Sequence, residues 1–117
     1  MVQYLPRQTQ HYGGNAIVGG IRNTISSSHA SAWVFRNTII GGGENKIISP
    51  HLFSTANTIV GGNNNEISGG SYNAVYGGDS NRIHGYGAGG VEYPNAGTII
   101  GGKNNEIHAR YDEGQGI

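Results

Sequence analysis

The chain has 117 residues, of which 22 are glycine, and its seven Lys and Arg balance seven Asp and Glu. Glycine is far above its average share of about 7%, but three prolines are too few for a collagen, and 12% charged residues are too few for a typical disordered chain. There is no basic block, no long apolar stretch and no cysteine, which argues against nucleic-acid binding, membrane insertion and disulfides or thiolate metal sites.

The first 14 residues lie outside the pattern that fills the rest of the chain, so we predict an N-terminal arm over 1–14. Its opening, MVQYLPRQTQ, has neither an apolar core nor a run of positive charge, and we expect no secretory signal. Val2, Tyr4 and Leu5 are apolar enough either to cover the end of a stack of strands or to bind a partner. We favour attachment to a partner, because a cap alone would not need fourteen residues that include Pro6.

Residues 15–112 are a repeat of octads that occur in five pairs. Nine octads begin with Asn and the tenth begins with Gly97, and the third position is always β-branched, which suits the buried side of a strand. The third-position residues are Ile17, Ile25, Ile39, Ile47, Ile59, Ile67, Val75, Ile83, Ile99 and Ile107.

The two octads of a pair differ at the fourth position. In the first octad this residue is apolar and Gly-Gly always follows it, whereas the second octad is mostly polar there. Because successive side chains of a strand point to opposite faces, the first strand is apolar on both faces and needs a partner outside its own coil. We predict that this partner is another copy of the chain, which contacts Val18, Ile40, Val60, Tyr76 and Ile100.

The repeat favours parallel stacking over antiparallel hairpins. The strongest hairpin dipeptides, Asn-Gly and Asp-Gly, do not occur, and stacking in register explains why the same residue returns at the same offset. We therefore predict an all-β parallel β-roll solenoid of five coils, each about 16 residues long. Sixteen residues are too few for three sides with ordinary turns, so we expect flat two-strand coils, with inserts before Asn37, Asn57 and Gly97 leaving from one edge.

Aromatic residues concentrate in and around these inserts, where loops commonly carry binding surfaces. They would contact a host glycan or a partner protein, or they would fold over the open edge of the roll as a small second core. The candidate surface comprises Trp33, Phe35, Phe53, Tyr86 and Tyr93.

Residues for catalysis or metal binding form no familiar motif along the chain. Glu66 and Glu106 share a column but lie two coils apart, which is too far for paired-carboxylate chemistry. His84 and His108 occupy the same solvent-facing column without an HxH or HxxxH spacing, and we expect them to be ordinary surface histidines. The sequence therefore predicts no catalytic site, no metal site and no cofactor.

The segment NTIVGGNNNEISGG, residues 57–70, resembles the head repeats of trimeric autotransporter adhesins, the YadA-like left-handed parallel β-roll. It is also similar to NTIxGGxxNxIxG repeats in fibre proteins of phages and large viruses. The likeness covers residues 15–112 and implies a homotrimer whose first strands face the threefold axis.

The sequence departs from complete adhesins because it has no heptad stalk, no membrane-anchoring barrel and no secretory signal. We therefore expect a non-enzymatic structural protein of a virion surface, either a capsid decoration (cement) protein or a fibre head that contacts a capsid or fibre protein. The alternative is a receptor-binding adhesin head on a bacterial cell surface or a virion, with the aromatic inserts on host glycan. Residues 113–117 would form a short C-terminal tail.

Overall fold

The computed structural model describes residues 11–27, 33–49, 53–86 and 96–110. Within these ranges the chain forms fourteen short β-strands and every strand pairing is parallel. The strands make three sheets, which we call sheets I, II and III in the order in which the chain passes through them. No helix in the described ranges is long and apolar enough to cross a membrane.

Sheet I is the shortest, and each of its strands directly precedes the first octad of a coil. It contains β1 (His11–Gly13), β4 (Trp33–Phe35), β7 (Phe53–Thr55) and β10 (Gly70–Ser71).

Sheet II holds the first octads of all five pairs. It contains β2 (Ala16–Val18), β5 (Thr38–Ile40), β8 (Thr58–Val60), β11 (Ala74–Tyr76) and β13 (Thr98–Ile100).

Sheet III holds the second octads. It contains β3 (Thr24–Ser27), β6 (Lys46–Ser49), β9 (Glu66–Ser68), β12 (Arg82–Tyr86) and β14 (Glu106–Arg110).

The pairing confirms the predicted parallel stack and its register. Ile59 lies between Ile39 and Val75 in sheet II, so equivalent positions of successive coils are direct neighbours. Eight of the ten third-position residues are buried, and the first and last of them, Ile17 and Ile107, pack against this core while remaining partly exposed. A β-branched residue at every level thus builds one continuous column of core from sheet II and another from sheet III.

Asparagines at the first octad position join the coils, and seven of these nine asparagines are buried. The Oδ1 atom of Asn57 accepts the backbone N–H of Asn73 at 3.0 Å, and the Oδ1 atom of Asn37 accepts that of Asn57 at 3.0 Å. A second ladder begins at Asn23, whose Oδ1 accepts the N–H of Asn45 at 3.0 Å. Each internal asparagine thereby satisfies a buried donor of its neighbour, which removes the penalty for burying polar groups.

Gly97 ends the first ladder without breaking it. It donates its N–H to Oδ1 of Asn73 at 2.8 Å, but it has no side-chain oxygen that could accept a further hydrogen bond.

The prediction of flat two-strand coils is wrong, because sheet I gives each of the first four coils a third side. Gly69 and Gly70, at φ 75° and 80°, turn the chain so tightly that the 16-residue coil still contributes the two-residue strand Gly70–Ser71. The C-terminal parts of two inserts are therefore strands, and Val34 in β4 is fully buried in the core. Residues 28–32, 50–52 and 87–95 of the inserts lie outside the described residues.

Candidate self-association face

The outer side of sheet II carries one apolar residue at every level. Pairing places Val18, Ile40, Val60, Tyr76 and Ile100 in a single file, each the register partner of the next. Val60 is half-buried, while the others are between 44% and 80% exposed. The structure thus brings together all five residues predicted to contact another copy, and we call this file the apolar ridge.

Small residues flank the ridge along the same strands. The second octad position, which also faces outward, is Ala or Thr in each strand of sheet II. The fifteen residues of these strands include no charged side chain. Sheet III differs, since Lys46, Glu66, Arg82 and Glu106 lie in its strands. Of these two sheets, sheet II is therefore the one suited to contact with an apolar surface.

The two glycines that follow each ridge residue have different roles. A Cβ atom on the second glycine, such as Gly62, would collide with the carbonyl oxygen of Gly78 and with Nδ2 of Asn65. A Cβ atom on the first glycine, such as Gly61, would have nothing within 4 Å. The second glycine is needed for stacking the coils, and the first is not.

Backbone conformation alone does not explain why the first of these positions is glycine in all five coils. These glycines have φ between 65° and 69°, and nine non-glycine residues adopt φ between 55° and 60° elsewhere, Arg22 and Glu44 among them. The fold therefore places ordinary side chains in nearly the same conformation. The row of first glycines therefore leaves the backbone beside the ridge uncovered by side chains. No contact within the described residues requires glycine at these positions.

Comparison with protein-family models, curated proteins and solved structures finds no match to this chain. The function must therefore be argued from the geometry of its faces.

The outer side of sheet III carries charge pairs and a histidine cluster. Arg82 lies 3.4 Å from Glu66, and His84 Nε2 lies 2.8 Å from Oε1 of Glu106. His108 is the register partner of His84, and their rings stack with centroids 4.3 Å apart. The pKa of Glu106 is lowered, mainly because its carboxylate forms this hydrogen bond with His84. The sequence analysis placed the two histidines in one column but interpreted them as ordinary surface residues, and it did not predict their contact with each other or with Glu106.

A shallow polar depression lies beside these charge pairs, with a volume of about 220 Å³. Asn64, Glu66, Ser80, Asn81 and Arg82 line it. Among the described residues that line it, Glu66 carries the one carboxylate, which is paired with Arg82.

The structure describes the backbone of four of the five aromatic candidates and the side chain of one. Trp33 and Phe53 are backbone register partners in sheet I, and Phe35 in the same sheet is half-buried. Tyr86 ends β12. Tyr93 and the side chains of Trp33, Phe53 and Tyr86 lie outside the described residues, so a glycan or partner surface there stays a prediction.

The predicted attachment residues of the arm, Val2, Tyr4 and Leu5, also lie outside the described residues. Residues His11–Gly13, which belong to the segment assigned to the arm, form strand β1 and pair with β4 in sheet I.

Proposed function

We propose that this chain is a non-enzymatic structural protein that assembles as a homotrimer through the outer side of sheet II. The observation that carries the proposal is the apolar ridge with its adjoining row of open glycines. Burial of apolar surface is the main favourable term in protein association, and the ridge offers that surface at each of five levels.

A threefold axis parallel to the ridge suits this surface. Such an axis brings the same residue of three copies together at every level, so the spacing of about 4.8 Å between strands is matched automatically. A ridge one residue wide fills a narrow core on the axis. The flanking Ala and Thr residues and the first glycines then let the three backbones approach closely.

The biological setting that best fits such a trimer is the surface of a virion, as a capsid decoration protein or a fibre head. The resemblance of residues 57–70 to viral fibre repeats supports this setting, and the arm around Val2, Tyr4 and Leu5 would attach the trimer to a capsid or fibre protein. Quantitative mass spectrometry of purified particles tests the setting. Many copies per particle would support a decoration protein and a few would support a fibre, whereas absence from particles would contradict both.

Disulfide trapping tests the trimer directly, because the sequence has no cysteine. With Val60→Cys, the three thiols would meet on the axis, and mild oxidation of dilute protein should link two of the three copies. Ser26→Cys is the matched control, since Ser26 faces outward at the same octad position of sheet III.

The expected result on a non-reducing gel is a dimer band with a residual monomer band for Val60→Cys, and monomer for Ser26→Cys. Equal linking of the two variants, or no linking of either, would contradict an interface along the apolar ridge.

A further inference from the structure

We propose that His84, Glu106 and His108 form a binding site for a divalent transition-metal ion of the Zn²⁺ class, which bridges the last two coils. The site lies on sheet III, on a different face from the apolar ridge, so it does not depend on the proposed trimer.

Parallel stacking brings the three side chains together. His84 in β12 and His108 in β14 are register partners, and Glu106 lies two residues before His108 on the same strand and the same face. His84 Nε2 is 2.8 Å from Oε1 of Glu106, and His108 Nδ1 is 4.0 Å from the same oxygen. One ligand atom from each of the three residues lies within 4.8 Å of the other two.

The donor set selects the class of metal. Two imidazole nitrogens and one carboxylate oxygen suit Zn²⁺, Cu²⁺ or Ni²⁺, whereas Ca²⁺ and Mg²⁺ prefer oxygen ligands alone. Three protein ligands leave the fourth tetrahedral position to water.

Small side-chain movements complete the geometry. Bond lengths of about 2.0–2.1 Å in a tetrahedral site place neighbouring donor atoms roughly 3.3 Å apart. The Glu106 and His108 side chains are 51% and 44% exposed and have room to turn towards a shared ion. The stacked imidazoles must rotate so that their lone pairs converge, and the ion then replaces the proton shared between His84 and Glu106.

The surrounding charge permits a cation. Among the side chains that the structure describes on this face, that of Arg82, the register partner of Glu106, is paired with Glu66 on the opposite side at 3.4 Å. Glu106 therefore remains available to the two histidines. In the three preceding coils the position of the histidines holds Ser26, Ile48 and Ser68, so a site of this kind is specific to the last two coils.

Titration of the full chain, purified without a polyhistidine tag, with Zn²⁺ against a competing fluorescent indicator tests the proposal. The expected result is one Zn²⁺ per chain, no competition from excess Ca²⁺, and a higher Tm with Zn²⁺ because the ion binds the folded state. His84→Ala, His108→Ala and Glu106→Gln should each weaken binding at least about tenfold and should remove the rise in Tm.

His51→Ala is the matched control, because it removes a histidine outside the proposed site and should bind Zn²⁺ as the wild type does. Glu106→Gln keeps the shape of the side chain, and its circular dichroism spectrum shows whether the coils remain folded. Substoichiometric binding by the wild type, unchanged binding by Glu106→Gln and His84→Ala, or an equal loss in His51→Ala would overturn the site.

Discussion

Replacing Gly62 with alanine should unfold the protein, whereas the same replacement at Gly61 should leave it folded. A methyl group at position 62 would overlap the carbonyl oxygen of Gly78, which belongs to the backbone of the next coil. That oxygen already accepts the N–H of Asn63 at 3.0 Å, so the two coils cannot separate without losing their pairing. We expect a loss of more than about 4 kcal/mol in the free energy of unfolding, in the range that marks severe substitutions.

The Gly61→Ala variant is the matched control for this experiment. Its methyl group meets no atom within 4 Å, so its cost is confined to the positive φ, about 1–2 kcal/mol. Urea unfolding followed by circular dichroism measures both variants. If Gly62→Ala unfolds at the same urea concentration as Gly61→Ala, the stacking role of the second glycine is wrong.

Replacing Val60 with aspartate should convert the proposed trimer to monomers. Val60 is the central residue of the apolar ridge, and on a threefold axis the substitution would bury three unpaired carboxylates beside one another. Burial of an unpaired charge is among the most unfavourable changes in a protein interface, at several kcal/mol for each group. Sedimentation velocity at equal concentrations of wild type and variant measures the change.

Ser26→Asp provides the control for added charge, because Ser26 lies at the equivalent octad position on sheet III, whose strands already carry charges. It should sediment as the wild type does. A Val60→Asp variant that sediments as the wild type does, or a Ser26→Asp variant that dissociates equally, would contradict the proposed interface.

The parallel stack could be predicted from the sequence because equivalent residues of successive coils are neighbours. The recurrence of Asn and Ile at fixed octad positions therefore reports contacts such as Ile39 with Ile59 and Asn57 with Asn73 directly. Sheet I could not be predicted, because its strands share no side-chain pattern. The stacked octads on either side hold these strands in register, and the strands have no repeated sequence of their own. Examples are Trp33–Phe35, Phe53–Thr55 and Gly70–Ser71.

The apolar ridge could be predicted from the sequence, whereas the histidine cluster and the different roles of the paired glycines could not. The apolar ridge follows from an apolar residue on each face of a three-residue strand, as at Ile39 and Ile40. The cluster of His84, Glu106 and His108 was missed because a shared column does not show which side chains meet, and the contacts of this cluster join residues 22 and 24 positions apart in adjacent coils. Gly61 and Gly62 have different roles because a Cβ atom would point in a different direction at each position. The sequence shows two identical residues and gives no information about these directions.

The molar mass of the wild-type protein in solution tests the central claim most directly. Sedimentation equilibrium of the untagged chain, from micromolar to sub-millimolar concentration, should give three times the chain mass of 12.3 kDa, about 37 kDa. A mass of 12.3 kDa across the whole range would show that the apolar ridge stays exposed to water, and the proposed trimer would be wrong.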